Sequence, residues 1–231
     1  MVELVTWNVL HRIHAVNWHE PVLDAHPDER ARIAAIAQIV ADLVRGGAIV
    51  CLQEVSGDQL AALAALPGGV HAAEHARVPH LRLAVPPPLD DPRELLVTIG
   101  GERLHAETFP TDRGKGFLAT RHGDLVVVNT HVTYGGEHAD QCARLAAFAR
   151  AHAPAVVAGD FNADAATTSA DLGFPTAPFP AGTLPTRPRQ KPADKSQVID
   201  HVAPLGVRVT ALEVLDGRGL SDHNPVRAQV Q

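Results

Sequence analysis

The sequence predicts a layered α/β or α+β fold, and three observations carry that reading. Short apolar runs of strand length alternate with stretches of helical spacing. The helices are few and short beside many hairpin-length strands. The 231 residues, 45% hydrophobic and 20% charged, suffice to bury a substantial core as one domain spanning residues 1–231.

The elements follow in order. Val2 to Leu10 alternates like a strand. Asp28 to Arg45 carries Ile33, Ile36, Val40, Leu43 and Val44 at helical spacing, and Gly46-Gly47 stops it. Ala48 to Glu54 is a short apolar strand. Asp58 to Leu66 is a short helix closed by Pro67-Gly68-Gly69. Val70 to Arg77 and Glu94 to Ile99 are strands on either side of a loop holding Pro86 to Pro92. Gly116 to Thr120 and Asp124 to His131 form a hairpin, Glu137 to His152 a helix, and Ala155 to Phe161 a strand. Six prolines between Pro175 and Pro192 mark a long irregular loop. Val198 to Ala203, Val207 to Val214 and Val226 to Val230 close the chain as strands. His11, His14, His19 and His26 fall in what reads as a loop before the first helix, as solvated residues or as a site wall or second metal site.

Composition narrows the function. A net charge of −6 excludes a strongly basic nucleic-acid binder, though not a nuclease whose acidic site is neutralised by metal. Two cysteines, Cys51 and Cys142, cannot build a disulfide framework and suit a reducing compartment. No stretch reaches the length of a membrane span and no signal peptide opens the sequence, so a cytoplasmic location is expected.

The informative feature is a set of polar residues at strand ends. Trp7-Asn8, Gln53-Glu54, Asn129-Thr130-His131, Gly159-Asp160-Phe161-Asn162, Asp200-His201 and Ser221-Asp222-His223-Asn224-Pro225 each finish or open an apolar run. Buried unpaired charges are costly, so such clusters call for a shared site that satisfies them. A cation does so. Glu54, Asp160 and Asp222, with Asn8 and Asn162, offer hard oxygen ligands, which select Mg²⁺, Mn²⁺ or Ca²⁺ over Zn²⁺. There is no HExxH, no P-loop and no GxSxG elbow, which disfavours zinc peptidases, P-loop NTPases and serine hydrolases.

Taken in that order, Gln-Glu-Val, Asn-Thr-His, Gly-Asp-Phe-Asn, Ile-Asp-His and Ser-Asp-His-Asn-Pro resemble the endonuclease/exonuclease/phosphatase superfamily, from Trp7 to Pro225. The resemblance implies a two-layer β-sandwich flanked by helices, deoxyribonuclease I-like, with its site at one rim. It implies phosphoester hydrolysis by activated water, most simply of a phosphodiester, with Mg²⁺ or Mn²⁺. Asn8, Glu54 and Asp222 match metal-binding positions. Asp160 and Asn162 match the residues that activate water and contact phosphate. His223 matches the central histidine, Asp200 the carboxylate that orients it, and His131 a second histidine facing the phosphate. Glu94 matches a carboxylate that pairs with that second histidine.

The arginines found soon after the Asn and Glu motifs in several nuclease branches are absent here, although Arg12 lies close. Arg187, Arg189, Lys191 and Lys195 give the proline-rich loop a positive run, read either as a solvated loop or as a phosphate-contacting lid with Arg187 and Arg189 binding substrate. The expected partner is a phosphoester: single-stranded nucleic acid or a small phosphorylated molecule. The alternative is a catalytically inactive binding protein that keeps the fold. No protein partner is readable.

Overall fold

Strand-forming residues of both chain halves pair into two mixed sheets that stack face to face. The computed structural model describes residues 1–83, 88–189, 191 and 195–231. Residues 86 and 87 of the first proline loop, and 190 and 192 of the second, lie outside the described residues.

The first sheet is built from β1 (Val2–Asn8), β2 (Ile49–Ser56), β3 (Val70–Glu74), β4 (Glu94–Ile99), β10 (Val209–Val214) and β11 (Val226–Val230), in the order β10-β11-β1-β2-β4-β3. The second holds β5 (Glu102–Thr108), β6 (Gly116–His122), β7 (Leu125–His131), β8 (Ala155–Asp160) and β9 (Asp200–Leu205), in sequential order. Each sheet has one parallel pair near its centre, β1 with β2 and β7 with β8, flanked by antiparallel neighbours.

Six helices accompany the described strands: α1 (Arg12–Trp18), α2 (Val22–Ala25), α3 (Glu29–Arg45), α4 (Gly57–Leu63), α5 (His138–Ala151) and α6 (Ala165–Leu172). Helix α3 is capped by Asp28, whose carboxylate accepts from Arg30 and Ala31. Helix α4 opens on a Ser56/Gln59 capping box. No helix among the described residues is long and apolar enough to cross a membrane.

Period-two alternation sorts side chains into three apolar layers. Val5, Trp7, Val50 and Leu52 face Ile36, Val40 and Leu63 of α3 and α4. Val126, Val128 and Val157 face Cys142, Leu145 and Ala149 of α5. Leu4, Ile49, Cys51, Val127, Val156, Ala158 and Val202 meet between the sheets. Extending the inter-sheet parity along each strand reaches Asn8, Gln53, His131, Asp160 and Asp200, so one end of the sandwich becomes polar.

Four elements depart from the sequence reading, the four-residue helix α2 among them. The stretch around His14 is the helix α1, not a loop. Its N-cap is His11 rather than Ser, Thr or Asp, and its first turn has no acidic residue, so the usual start signal is absent. Strand β5 was not anticipated because it is an edge strand rich in Glu, Arg and His. Helix α6 buries only Thr168 and Leu172 and has no apolar stripe to read, although Asp164 caps its start and Gly173 its end.

Gly159 marks where the sheet tightens beside the polar end. A methyl group there would lie 1.9 Å from the Thr130 carbonyl oxygen on the paired strand. Gly159→Ala is expected to lower stability by about 1–3 kcal/mol through overpacking. The readout is a lower denaturant midpoint with an unchanged slope; an unmoved midpoint contradicts it.

Candidate active site

The residues that close the inward-facing rows converge in a cleft of about 200 Å³ lined by His14, Glu54, Lys115, His131, Asp160, Asn162, Arg187, Asp222 and His223, among others. In the second sheet His131, Asp160 and Asp200 stand in one row, paired strand to strand. In the first sheet Asn8 is paired with Gln53.

Glu54 reaches the cleft by a bulge. Leu52 pairs with Val97 but Val55 pairs with Leu95, so Gln53 and Glu54 together oppose the single residue Leu96. Strict alternation would turn Glu54 into the helix-facing apolar layer. The bulge instead returns Val55 to that layer and frees Glu54, at φ 55°, for the cleft. Beneath the charged groups lies a layer of amides. Gln53 Nε2 donates to Thr6 Oγ1 at 2.9 Å and Asn129 Oδ1 at 2.7 Å, and Asn129 Nδ2 donates to the Val97 and Leu52 carbonyls. The Gln and Asn of the two strand-end motifs thus bond the sheets together rather than line the cleft.

Asn8 Nδ2 donates to Glu54 Oε1 and to Asp160 Oδ2, each at 3.1 Å, while Asn8 Oδ1 accepts from the Leu10 N–H. Asn8, expected as a cation ligand, here turns its amide nitrogen to both carboxylates and its oxygen to the Leu10 N–H. Glu54 Oε2 accepts from the His11 N–H. Burial pushes the Glu54 pKa up, but His14, His131 and Lys115 outweigh it and hold the carboxylate well below its usual range.

His223 Nδ1 lies 2.8 Å from Asp200 Oδ2, which sets the tautomer and turns Nε2 toward Asp160 and Asp222, at 3.9 and 4.0 Å. Burial opposes its charge, yet Asp200, Asp222 and Asp160 together raise its pKa to about 10. Asp160 is pushed up to about 6, first by burial and then by Asp200. Its Oδ1 accepts from the Asn162 N–H at 2.9 Å. Asn162 Nδ2 donates to the Val132 carbonyl and lies 3.3 Å from His131 Nε2. His131 lies well below its ordinary pKa because it is buried and Lys115 Nζ contacts both its ring nitrogens.

Several expectations meet a different neighbour. Glu94 pairs with His14, Oε2 to Nε2 at 3.3 Å, rather than with His131, whose ring is occupied by Lys115. Asp222 Oδ2 accepts from Arg187, at 3.1 Å from Nε, so its carboxylate is already held by a cation and is not grouped with Glu54. Arg187 lines the cleft, but Arg189 does not: its Nε donates to the Lys191 carbonyl and the residue is exposed. His201 points to the far face and bonds the Ala163 carbonyl.

Lys115, Arg32 and Thr186 are not singled out in the sequence reading, and His14 is named there only as one of four loop histidines. Lys115 has a signal, a cation between Gly114 and Gly116 at a strand start. Arg32 is buried on α3 and donates to the Val9, Leu10 and Leu220 carbonyls, so it holds the segments after Asn8 and before Asp222. Thr186 Oγ1 accepts from the Ile199 and Asp200 N–H groups, and its carbonyl accepts from Asn224 N–H. It ties the proline-rich loop to both sides of the His223–Asp200 pair. Ser221 Oγ donates to the Asn8 carbonyl, and Trp7 Nε1 to that of His223.

A divalent cation fits this arrangement. Ligand atoms of His14, Glu54 and Glu94 lie within 4.8 Å of one another. Two neighbouring carboxylates there have a histidine and an amide as their side-chain bonding partners, and a cation between them removes their repulsion.

His223 supplies a pH test. Its folded pKa is raised from 6.5 to about 10, so its contribution to stability is full below 6.5 and is lost as pH rises through about 10. Side-chain nitrogen NMR is expected to show His223 still protonated at about pH 8, and Asp200→Asn to lower its midpoint by more than about one unit. A wild-type midpoint near 6.5 contradicts the pairing.

The geometry has counterparts among known proteins. The family model described as Endonuclease/Exonuclease/phosphatase family matches residues 5–223. No curated protein matches the chain. The endonuclease/exonuclease/phosphatase structure from Bacteroides vulgatus is similar at TM-score 0.69 and 20% identity, covering 100% of this chain and 98% of that one. The one from Beutenbergia cavernae has the same score and identity, covering 100% and 71%. D. rerio TDP2 complexed with single-strand DNA product is similar at TM-score 0.63 and 16% identity, covering 100% and 98%. These likenesses show a shared deoxyribonuclease I-like fold, and the match over residues 5–223 shows that the chain belongs to the endonuclease/exonuclease/phosphatase family.

Proposed function

We propose that residues 1–231 form one domain that hydrolyses a phosphodiester with a divalent cation, Mg²⁺ or Mn²⁺, and an activated water. The observation that carries this reading is the meeting of Glu54, Asp160, Asn162 and the Asp200–His223 pair in one cleft. Glu54 would hold the cation, which when bound would supply charge neutralisation and polarisation at the phosphate.

The chain's own residues do the rest. His223, charged and fixed by Asp200, donates from Nε2 to a non-bridging phosphate oxygen as charge builds there. Asp160 accepts the proton of the attacking water; a carboxylate raised to about 6 is a stronger base than an ordinary one and is still mostly ionised at neutral pH. Asn8 and the Asn162 N–H hold its two oxygens. Lys115 and Arg187 supply positive charge on the wall facing the substrate, and Asp222 holds Arg187 in place. His131, neutral beside Lys115, orients Asn162. Cytoplasmic location belongs to the same proposal and is supported by two free, buried cysteines.

A single strand is the favoured substrate. A groove of about 600 Å³ beside the cleft carries exposed Trp18 and Tyr134 with Arg187, Lys191 and Lys195, which suits bases and phosphates of one strand. The single-strand DNA product bound to the D. rerio protein of similar fold supports this. A small phosphorylated molecule would need only the cleft.

Hydrolysis of bis-(p-nitrophenyl) phosphate, p-nitrophenyl phosphate, single-stranded DNA, duplex DNA and RNA, with Mg²⁺, Mn²⁺ or EDTA, tests the proposal. Cation-dependent turnover is expected, with Asp160→Asn and His223→Ala each lowering kcat by about 10²–10⁴-fold. Glu54→Ala is expected to abolish the cation dependence. Turnover that survives His223→Ala and Glu54→Ala unchanged sinks the residue assignment.

A further inference from the structure

We propose that His14 is itself a ligand of the divalent cation, together with Glu54 and Glu94, and that its nitrogen makes the site prefer a first-row transition ion such as Mn²⁺ over Mg²⁺. The inference rests on the reading above, that a cation is held at Glu54.

Geometry comes first. His14 Nε2 and Glu94 Oε2 are 3.3 Å apart, and the ligand atoms of all three residues lie within 4.8 Å of one another. Two ligands each about 2.1 Å from one ion, at tetrahedral or octahedral angles, stand about 3.0–3.4 Å apart. The His14–Glu94 spacing therefore needs no rearrangement to admit an ion.

Charge comes second. Glu94 is buried, and the side-chain partner recorded for it is His14. Glu54 lies beside it, its two oxygens turned to Asn8 Nδ2 and the His11 N–H. His14 and Lys115 share these two carboxylates, and a divalent ion would add charge where the ligand atoms of the three groups meet.

The element that carries His14 is fixed in advance. Ile13 is buried in α1, and Arg12 donates to the His26 and Pro27 carbonyls at 3.0 and 3.2 Å. His14 therefore reaches the carboxylates from an anchored helix. Its nitrogen alters the chemistry of the site. Mg²⁺ favours an all-oxygen shell and retains water, whereas imidazole suits the transition ions and carboxylates suit Mn²⁺ as well as Mg²⁺.

Mn²⁺ binding, followed by electron paramagnetic resonance with pulsed detection of nitrogen coupling, tests this without any turnover. The wild-type chain is expected to bind Mn²⁺ about tenfold or more tightly than Mg²⁺ in competition, with a directly coordinated nitrogen. His14→Gln is expected to lose the nitrogen signal and to bring Mn²⁺ affinity down to about that of Mg²⁺. His14→Glu, which restores an oxygen ligand, is expected to keep binding but shift the preference toward Mg²⁺. His131→Gln is expected to keep the nitrogen signal. Mn²⁺ bound with no nitrogen coupling, a coupling lost in His131→Gln instead, or an unchanged Mn²⁺/Mg²⁺ ratio in His14→Gln overturns the inference and leaves the phosphoesterase reading standing. Absence of any divalent binding to the wild type overturns both.

Discussion

Glu54 and Asp160 come from different sheets, and one amide, Asn8 Nδ2, stands 3.1 Å from each. That meeting of buried like charges is the constraint the rest of the structure serves. Carboxylates in such a position repel one another and lose water, so they persist only inside a frame that over-determines them. The frame is visible in layers. Apolar strands lock the sheets together through Leu4, Cys51, Val127 and Ala158. The Gln53–Asn129 amides then fix the sheets' relative height. Only beyond those amides do the charges appear.

The two histidines of the cleft show how position decides chemistry. His223 sits among Asp200, Asp222 and Asp160 and stays charged, with a pKa raised to about 10. His131 is equally buried but stands against Lys115 and is held neutral. One imidazole is therefore a fixed cation that donates toward a phosphate oxygen, and the other a neutral acceptor that orients Asn162. Arg32 and Thr186 act at a distance. They bind the backbone just after Asn8, at Ile199 and Asp200, and on both sides of His223, and so keep segments far apart in sequence in register.

Much of this was legible in the sequence because strand periodicity carries it. An apolar run that alternates and ends in Asn8, His131, Asp160 or Asp200 predicts both the element and the rim where its last side chain emerges. The match over residues 5–223 and the shared fold agree with that ordered set of motifs. What period-two reasoning could not deliver was anything set by a break in the period. Glu54 reaches the cleft through a bulge that no residue type announces. Helix α1 is a seven-residue helix capped by a histidine, so His14 looked like a loop residue. Glu94 was sought beside His131, yet Lys115 holds that ring and Glu94 turns to His14 instead. Residue type and the resemblance both mark Asn8 as a cation ligand, but neither shows that its amide nitrogen bridges Glu54 and Asp160.

Asp160 is held against burial and the charge of Asp200, so the cation-free protein is less stable at neutral pH for having it, whereas Glu54 is held low, against burial, by His14, His131 and Lys115. The Asp160 pKa is raised from 3.8 to about 6, so its contribution to stability is full below 3.8 and is lost as pH rises through about 6. The most direct measurement is denaturant unfolding of the wild type and Asp160→Asn in EDTA across that range. The account predicts that above about pH 7 the variant is the more stable by about 1–3 kcal/mol, with the gap closing toward about pH 4. A variant less stable than the wild type at neutral pH contradicts the claim that this carboxylate is kept in place by the fold against its own charge.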